Sequence, residues 1–234
     1  MHAALAIVLP TAGAVTGVDI STAVSQADWR CLQSPGGQGP VSFAIPRIYT
    51  ESGHVDTTGI ATVKAARAAG VKYVDGYIFP CVKCGNPGGQ VSAAHSACGG
   101  SCGMLWLDIE GNTWKTADEN QAFIKAMVDE CTSLGISCGV YANWNSWSEI
   151  VGRNWSYPFS RGLPVWYPHY DNTPSFSDFE SFGGWAKPSI KQYIGDHTSC
   201  GVGIDYNFYP SGADVRWHNT GNTTLTKTAQ KLKI

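Results

Sequence analysis

The chain has 234 residues, 43% apolar and 15% charged, a balance that excludes disorder and leaves enough surface for one large core or two small ones. Sixteen basic and 18 acidic residues give a formal net charge of −2 with no run of either sign, so nucleic acid is not expected as a partner. Nine Trp and ten Tyr supply rings for packing and, in part, for stacking on sugars.

Residues 1–14 open the chain with an apolar stretch at 3–10 and the small residues Ala12, Gly13 and Ala14, the pattern of a cleaved signal peptide, although no Lys or Arg precedes it. The stretch is too short to span a membrane, and no other segment approaches ~18 uninterrupted apolar residues, so the mature chain is expected to be free of the membrane. Eight apolar runs follow and read as strands, at residues 17–21, 43–49, 72–79, 104–110, 137–144, 163–167, 189–194 and 202–208. Between them, 56–69 and 117–134 show helical periodicity. Ile60, Val63 and Ala66 mark one face and Phe123, Ile124, Met127 and Val128 the other, with Gly70 and Gly135 as stops. Segment 171–187 is rich in Ser, Phe, Gly and Pro, so a regular eightfold repeat does not persist. The expected architecture is an α/β barrel of parallel strands with several helices missing or shortened. Residues 15–210 are expected to form this barrel as one domain, and 211–234 a polar tail or outer cover.

Eight cysteines, Cys31, Cys81, Cys84, Cys98, Cys102, Cys131, Cys138 and Cys200, fit an oxidising compartment. Cys81, Cys84, Cys98 and Cys102 have a spacing that zinc sites also use, but beside the leader disulfides are the stronger reading, with connectivity open. Cys131 and Cys138 flank a glycine-containing turn and are placed to close a short loop. Asn154 and Asn222 lie in glycosylation sequons. The six His show no H-x-x-x-H or H-E-x-x-H pattern and no G-x-S-x-G elbow occurs, so neither a metal nor another cofactor nor a serine nucleophile is expected.

The most informative segment runs from Leu105 through Trp106, Leu107, Asp108 and Ile109 to Glu110, an apolar strand ending in two carboxylates. Side chains at i and i+2 share a strand face, ~6–7 Å apart at Cα, and a parallel barrel collects such strand ends at its C-terminal mouth. Two carboxylates in one partly dry pocket push their pKa values apart, which is what glycoside hydrolysis needs. A capping Asp followed by a solvated Glu would account for this pair alone. Asp19, at the end of the first run, and Asp205, in the last, weigh against that, because first and last strands are neighbours in a closed barrel. Four acids at one mouth are costly for structure and are more readily explained by function.

These segments resemble glycoside hydrolase family 25, the Chalaropsis-type lysozymes, and in particular their cysteine-rich protist and invertebrate branch. The resemblance covers about residues 17–210. Gly17-Val18-Asp19-Ile20-Ser21 is similar to the family's opening strand, and Leu107 to Glu110 to its D-x-E strand. Gly139-Val140-Tyr141 with Asn143-Trp144, Val165-Trp166 with Tyr170, Gln192-Tyr193, and Gly203-Ile204-Asp205-Tyr206-Asn207 follow in the family's order. The resemblance implies a flattened, irregular TIM-like barrel of eight strands and about five helices. It also implies hydrolysis of the β-1,4 bond from N-acetylmuramic acid to N-acetylglucosamine in bacterial peptidoglycan, in digestion or antibacterial defence. Glu110 would be the general acid, Asp108 would stabilise charge on the sugar or its acetamido group, and Asp19 and Asp205 would hold substrate and tune the pair. Tyr77, Tyr141, Trp166 and Gln192 are the substrate-binding candidates. A monomer, secreted or lysosomal/phagosomal, is expected. Two departures stand out: Tyr77 lacks the His that often follows the aromatic, and residues 47–53 alter a K-A-T-E-G-like segment in length and first charge. The rival readings are a chitin- or N-acetylhexosamine-cleaving glycosidase and a sugar-binding relative without turnover.

Overall fold

The structure, a computed structural model, describes residues 13–34, 38–111 and 113–212; residues 1–12 of the expected leader, Asn222 and residues 213–234 of the expected tail lie outside the described residues. Strands and helices alternate as β1 (Ala14–Ile20), α1 (Gln26–Leu32), β2 (Phe43–Tyr49), α2 (Thr57–Ala68), β3 (Tyr73–Val74), β4 (Gly76–Ile78), α3 (Pro87–Cys98) and β5 (Leu105–Asp108). They continue as α4 (Ala117–Leu134), β6 (Cys138–Tyr141), α5 (Trp144–Ile150), α6 (Tyr157–Ser160), β7 (Val165–Pro168), β8 (Ile190–Ser199) and β9 (Val202–Pro210). Local chemistry sets the helix starts: Ser25 with Asp28 and Thr116 with Glu119 form capping boxes, and the Asp56 carboxylate accepts from Gly59 N at 3.0 Å. Helix α3 was not legible because its first turn carries Gly88 and Gly89; Asn86 as cap and Pro87 in the first turn start it nonetheless.

Hydrogen bonding runs β1-β9-β8-β7-β6-β5-β4-β2 and returns to β1, which closes an eight-stranded barrel with β3 added on β2. The single run expected at 72–79 divides at Asp75, whose buried carboxylate accepts from Met104 N at 3.0 Å and Trp106 Nε1 at 3.1 Å. The expectation of parallel strands throughout needs one correction: β9 is antiparallel to both β8 and β1. A parallel crossover needs a dozen or more residues, whereas β8 and β9 are joined by a tight turn at Cys200–Gly201 with both φ positive.

Two buried layers follow from the strand period of two. Phe43, Ile45, Trp106, Trp166, Ile190 and Tyr209 fill the barrel interior, and the alternate residues, among them Val18, Ile48, Leu105, Leu107 and Val140, meet the helices outside. The interior packs edge to face, with Trp166 5.8 Å from Trp106 and 4.5 Å from Tyr141. Gly139 is obligatory here, since a Cβ would lie 2.4 Å from the Trp106 ring. The cysteines pair as Cys31–Cys200, Cys81–Cys84, Cys98–Cys102 and Cys131–Cys138. The first ties α1 to the β8–β9 turn across 169 residues, the longest loop closed and so the largest constraint on the unfolded chain.

Lys191 on β8 is fully buried and gives its ammonium to Asp171 at 2.8 Å and to both oxygens of Asp178 at 2.9 Å. Burial alone would raise the Asp178 carboxyl, but hydrogen bonds from His169, Lys191 and Tyr167 outweigh it and hold it at about 2. Because that value lies below the unfolded one, the stabilisation is complete above about pH 4 and is lost as pH falls through about 2. Asp178→Ala leaves Lys191 with Asp171 alone, so a loss of about 3 kcal/mol is expected at neutral pH. Urea unfolding at pH 7 and pH 3 checks this: the gap to wild type should narrow at the lower pH, and an unchanged gap would refute the linkage.

Candidate active site

On seven of the eight barrel strands the inward face carries a polar or aromatic residue at the mouth. Asp19 follows Gly17 on β1, Arg47 follows Phe43 and Ile45 on β2, Tyr77 lies on β4, and Asp108 follows Trp106 on β5. Tyr141, Gln192 and the pair Asp205 and Asn207 complete the layer from β6, β8 and β9. Because β9 runs in the opposite direction, Asp205 reaches the mouth from the beginning of its strand. It is the direct register partner of Asp19.

Asp19 is buried, and one of its oxygens accepts from Asn207 Nδ2 at 2.6 Å and Gln192 Nε2 at 2.8 Å. The same Gln192 amide reaches Asp205 at 3.1 Å, and the other Asp205 oxygen accepts from the Asp196 backbone N–H at 2.7 Å. Gln192 is oriented in turn by Tyr141 and Tyr170, whose hydroxyls each donate to its Oε1 at 2.8 Å. Burial and the charge of Asp205 push the Asp19 carboxyl well up, against the two amide hydrogen bonds.

Asp108 is 5% exposed, and its buried Oδ1 has no hydrogen-bond partner among the described residues. Burial, then Glu110 and Asp19, push its carboxyl well above the usual range, and Arg47 opposes them. Glu110 sits two residues on, half-buried at the rim; its backbone carbonyl accepts from Trp114 Nε1 at 2.8 Å. Burial and the charge of Asp205 raise its carboxyl too. The mouth therefore holds four carboxyl groups: Asp19 and Asp108 are buried, and Asp205 and Glu110 are half-buried.

All four acids anticipated from the sequence converge here. The aromatic and amide candidates divide. Tyr77 is half-buried and lines the mouth, 6.4 Å from the Trp166 ring. Tyr141, Trp166 and Gln192 are 5%, 1% and 2% exposed. The Trp166 indole N–H is spent on Asn207 at 2.7 Å, so it carries the site from below and offers no face for a sugar to stack on. Three mouth residues were missed as candidates: Asn207, Arg47 and Tyr170. Asn207 and Asp205 share the i, i+2 spacing already used for Asp108 and Glu110, and Arg47 follows the Phe43 and Ile45 parity; both were signals open to reading. Tyr170 lies in an irregular segment without a period.

A hollow of about 200 Å³ lined by Trp144, Tyr167, His169, Asp178 and Glu180 lies at the ends of β6 and β7 but contains none of the four acids. His169, Asp171 and Asp178 could together ligate a cation, but the Lys191 ammonium already sits on both carboxylates.

Comparison with known proteins points to one family. Residues 10–193 match a family model described as lysozyme-like protein 1. The chain is 43% identical over 206 residues to probable GH family 25 lysozyme 2 of Dictyostelium discoideum, covering 86% of this chain and 94% of that one. It is 45% identical over 202 residues to lysozyme-like protein 5 of Caenorhabditis elegans, covering 83% and 91%. Among solved structures, the bacterial lysozyme of Streptomyces coelicolor superposes with a TM-score of 0.68 at 20% identity, over 87% of this chain and 95% of that one, which shows the shared fold.

Proposed function

The chain belongs to the family 25 glycoside hydrolases, the lysozymes, and from that premise we propose that it cleaves the β-1,4 bond between N-acetylmuramic acid and N-acetylglucosamine in bacterial peptidoglycan. The observation that carries this reading is the pair on β5: a buried Asp108 with an unpartnered oxygen and, two residues on, a rim Glu110 whose carboxyl is raised by burial and by Asp205.

Glu110, its carboxyl raised by burial and by Asp205, keeps its proton to higher pH than an ordinary glutamate and passes it to the glycosidic oxygen as the bond from that oxygen to the sugar C1 breaks. Water then supplies a hydroxyl to C1, and its remaining proton returns to Glu110, so that atoms and charge balance. Asp108 faces the positive charge that develops on the sugar. Its unpartnered oxygen is suited to an acetamido N–H, and a hydrogen bond to the charged form favours the anion that the step requires. Asp19 and Asp205, clamped by Gln192 and Asn207, hold the sugar and keep the proton on Glu110. The paired cysteines support a secreted or lysosomal setting, and the role proposed there is digestion or antibacterial defence.

Digestion of purified peptidoglycan with analysis of the new reducing ends tests the reading. Muramic acid at those ends is expected. Glucosamine ends would place the cut at the other bond, and turnover of chitin oligomers without turnover of walls would assign the site to the rival glycosidase class. Asp19→Asn and Asp205→Asn should each fold and lose activity by unequal amounts; unchanged turnover in both would remove them from the site.

A further inference from the structure

Of the two sequons, Asn154-Trp155-Ser156 lies within the described residues, on the turn between α5 and α6. We propose that Asn154 carries an N-linked glycan whose first sugars cover the apolar patch around Phe159 on the barrel floor, the end at which the parallel strands begin. The modification joins the amide Nδ2 to C1 of a sugar. The C1–oxygen bond of a lipid-pyrophosphate-linked oligosaccharide breaks, the lipid pyrophosphate leaves, and one amide proton is lost. Such transfer belongs to the secretory pathway, the setting proposed above from the paired cysteines.

The turn is pinned on both sides of Asn154 and leaves the asparagine itself uncommitted. The Arg153 carbonyl accepts from Gly183 N at 2.8 Å, and Arg153 Nη2 donates to the Ser181 carbonyl at 3.2 Å. Trp155 is half-buried: its ring stacks on Trp147 at 5.6 Å and on Tyr157 at 6.2 Å, and its carbonyl accepts from Trp147 Nε1 at 3.1 Å. Asn154 is exposed, and its side-chain amide takes part in no hydrogen bond among the described residues. Ser156, the third residue of the sequon, starts α6 without a capping bond from its side chain. A glycan on Nδ2 therefore displaces no hydrogen bond of the fold.

The surface beside the asparagine has the chemistry to receive sugar. Asn154 lines a hollow of about 460 Å³ that shares Gly184, Trp185 and Ala186 with a second, of about 440 Å³, lined also by Phe159 and Pro188. Phe159 is 47% exposed, and its ring lies against Gly184, where a Cβ would come within 2.6 Å. An open aromatic ring beside an apolar hollow suits the C–H face of a pyranose. A sugar tethered at the neighbouring Asn154 is held there at high effective concentration. Leu163, Pro164 and Ser189, which also line the second hollow, immediately precede β7 and β8, so the patch lies at the floor. Helix α5 runs back from the mouth end of β6, which puts the turn after it on the same side. The glycan thus leaves the four acids open to substrate.

The test expresses the full chain in a eukaryotic cell and collects it from the medium or the lysosomes. The whole protein is treated with peptide-N-glycosidase in heavy-oxygen water and then digested, which leaves a labelled Asp at each asparagine that carried a glycan. Label at position 154 is expected in most molecules; it should vanish in Ser156→Ala and persist in Ser156→Thr. An unlabelled Asn154, or a chain found in neither compartment, would overturn the assignment. The cover has its own measurement. An apolar fluorescent dye should bind Ser156→Ala more than wild type, and Phe159→Ser added to that variant should remove the excess. Equal dye binding with and without the glycan, or an excess that survives Phe159→Ser, would refute the cover. Should Ser156→Ala not fold, wild type deglycosylated in its native state supplies the glycan-free protein. Clearing of bacterial walls should be the same with and without the glycan, and a change would place the sugar at the mouth instead. Failure of wild type to clear walls at all would count against the muramidase reading and leave the glycan assignment standing.

Discussion

Glu110→Gln is expected to fold as wild type does and to clear bacterial walls at least ~10²–10⁴-fold more slowly, the span over which general acid–base catalysis contributes. Glutamine keeps the shape of the side chain and a hydrogen-bonding end but has no transferable proton. Glu110 is half-buried, and the hydrogen bond it makes is through its backbone carbonyl, so a substitution of the same shape breaks none. The pH profile gives a second reading of the same group. Burial and Asp205 raise the Glu110 carboxyl, so the acidic form persists to higher pH than for an ordinary glutamate, and activity should decline as pH rises through that value. Asp205→Asn removes one of the two causes, so the basic limb of the profile should move toward lower pH. Purified Glu110→Gln working at more than about a tenth of the wild-type rate would assign the acid elsewhere.

Asp108→Asn is expected to lose activity by about 10²–10³-fold and at the same time to melt at a higher temperature than wild type at neutral pH. The two effects share one cause. The Asp108 carboxyl is buried beside Glu110 and Asp19, and its folded pKa is raised above the unfolded value. A group of this kind contributes its stability fully below the unfolded pKa and loses it as pH rises through the folded one, the reverse of Asp178. At neutral pH wild type thus carries the repulsion and desolvation of the inner acids, and asparagine fills the same volume without charge. Thermal unfolding at pH 4 and pH 7 should show the advantage of Asp108→Asn growing with pH. A variant less stable than wild type at pH 7, or one with a constant difference, would mean that the inner acids are not strained by their mutual charge.

Local pattern decided a good part of this protein before any tertiary contact was known. The apolar run of strand 105–108 and the helical period of 117–134 are written in the covalent sequence, and a strand period of two or a helix period of 3.6 sorts their residues onto faces with no further information. The same parity put Asp108 and Glu110 on one face, and it was the expected closure of a barrel that added Asp19 and Asp205 to their mouth. The cysteine count spoke for disulfides in the same way, by composition.

What the chain could not state locally were relations between distant segments. The direction of β9 was decided by the short turn at Cys200–Gly201, and it is that reversal which brings Asp205 opposite Asp19. Whether Trp166 faces sugar or core depends on closure of the barrel around it, since an indole on an inward face is wet in an open sheet and dry in a closed one. The pairing of Cys31 with Cys200 joins residues 169 apart, a choice among combinations that spacing does not rank. The raised carboxyls belong to this class too. An aspartate acquires its pKa from burial and from the charges around it, and at Asp108 those are Glu110 from the same strand end but Asp19 and Arg47 from strands that only the closed barrel brings near. Sequence determined which residues were available to the mouth and which way each would point; closure determined which of them meet and how strongly their charges act on one another, because desolvation and Coulomb energy depend on distances that only the folded barrel sets.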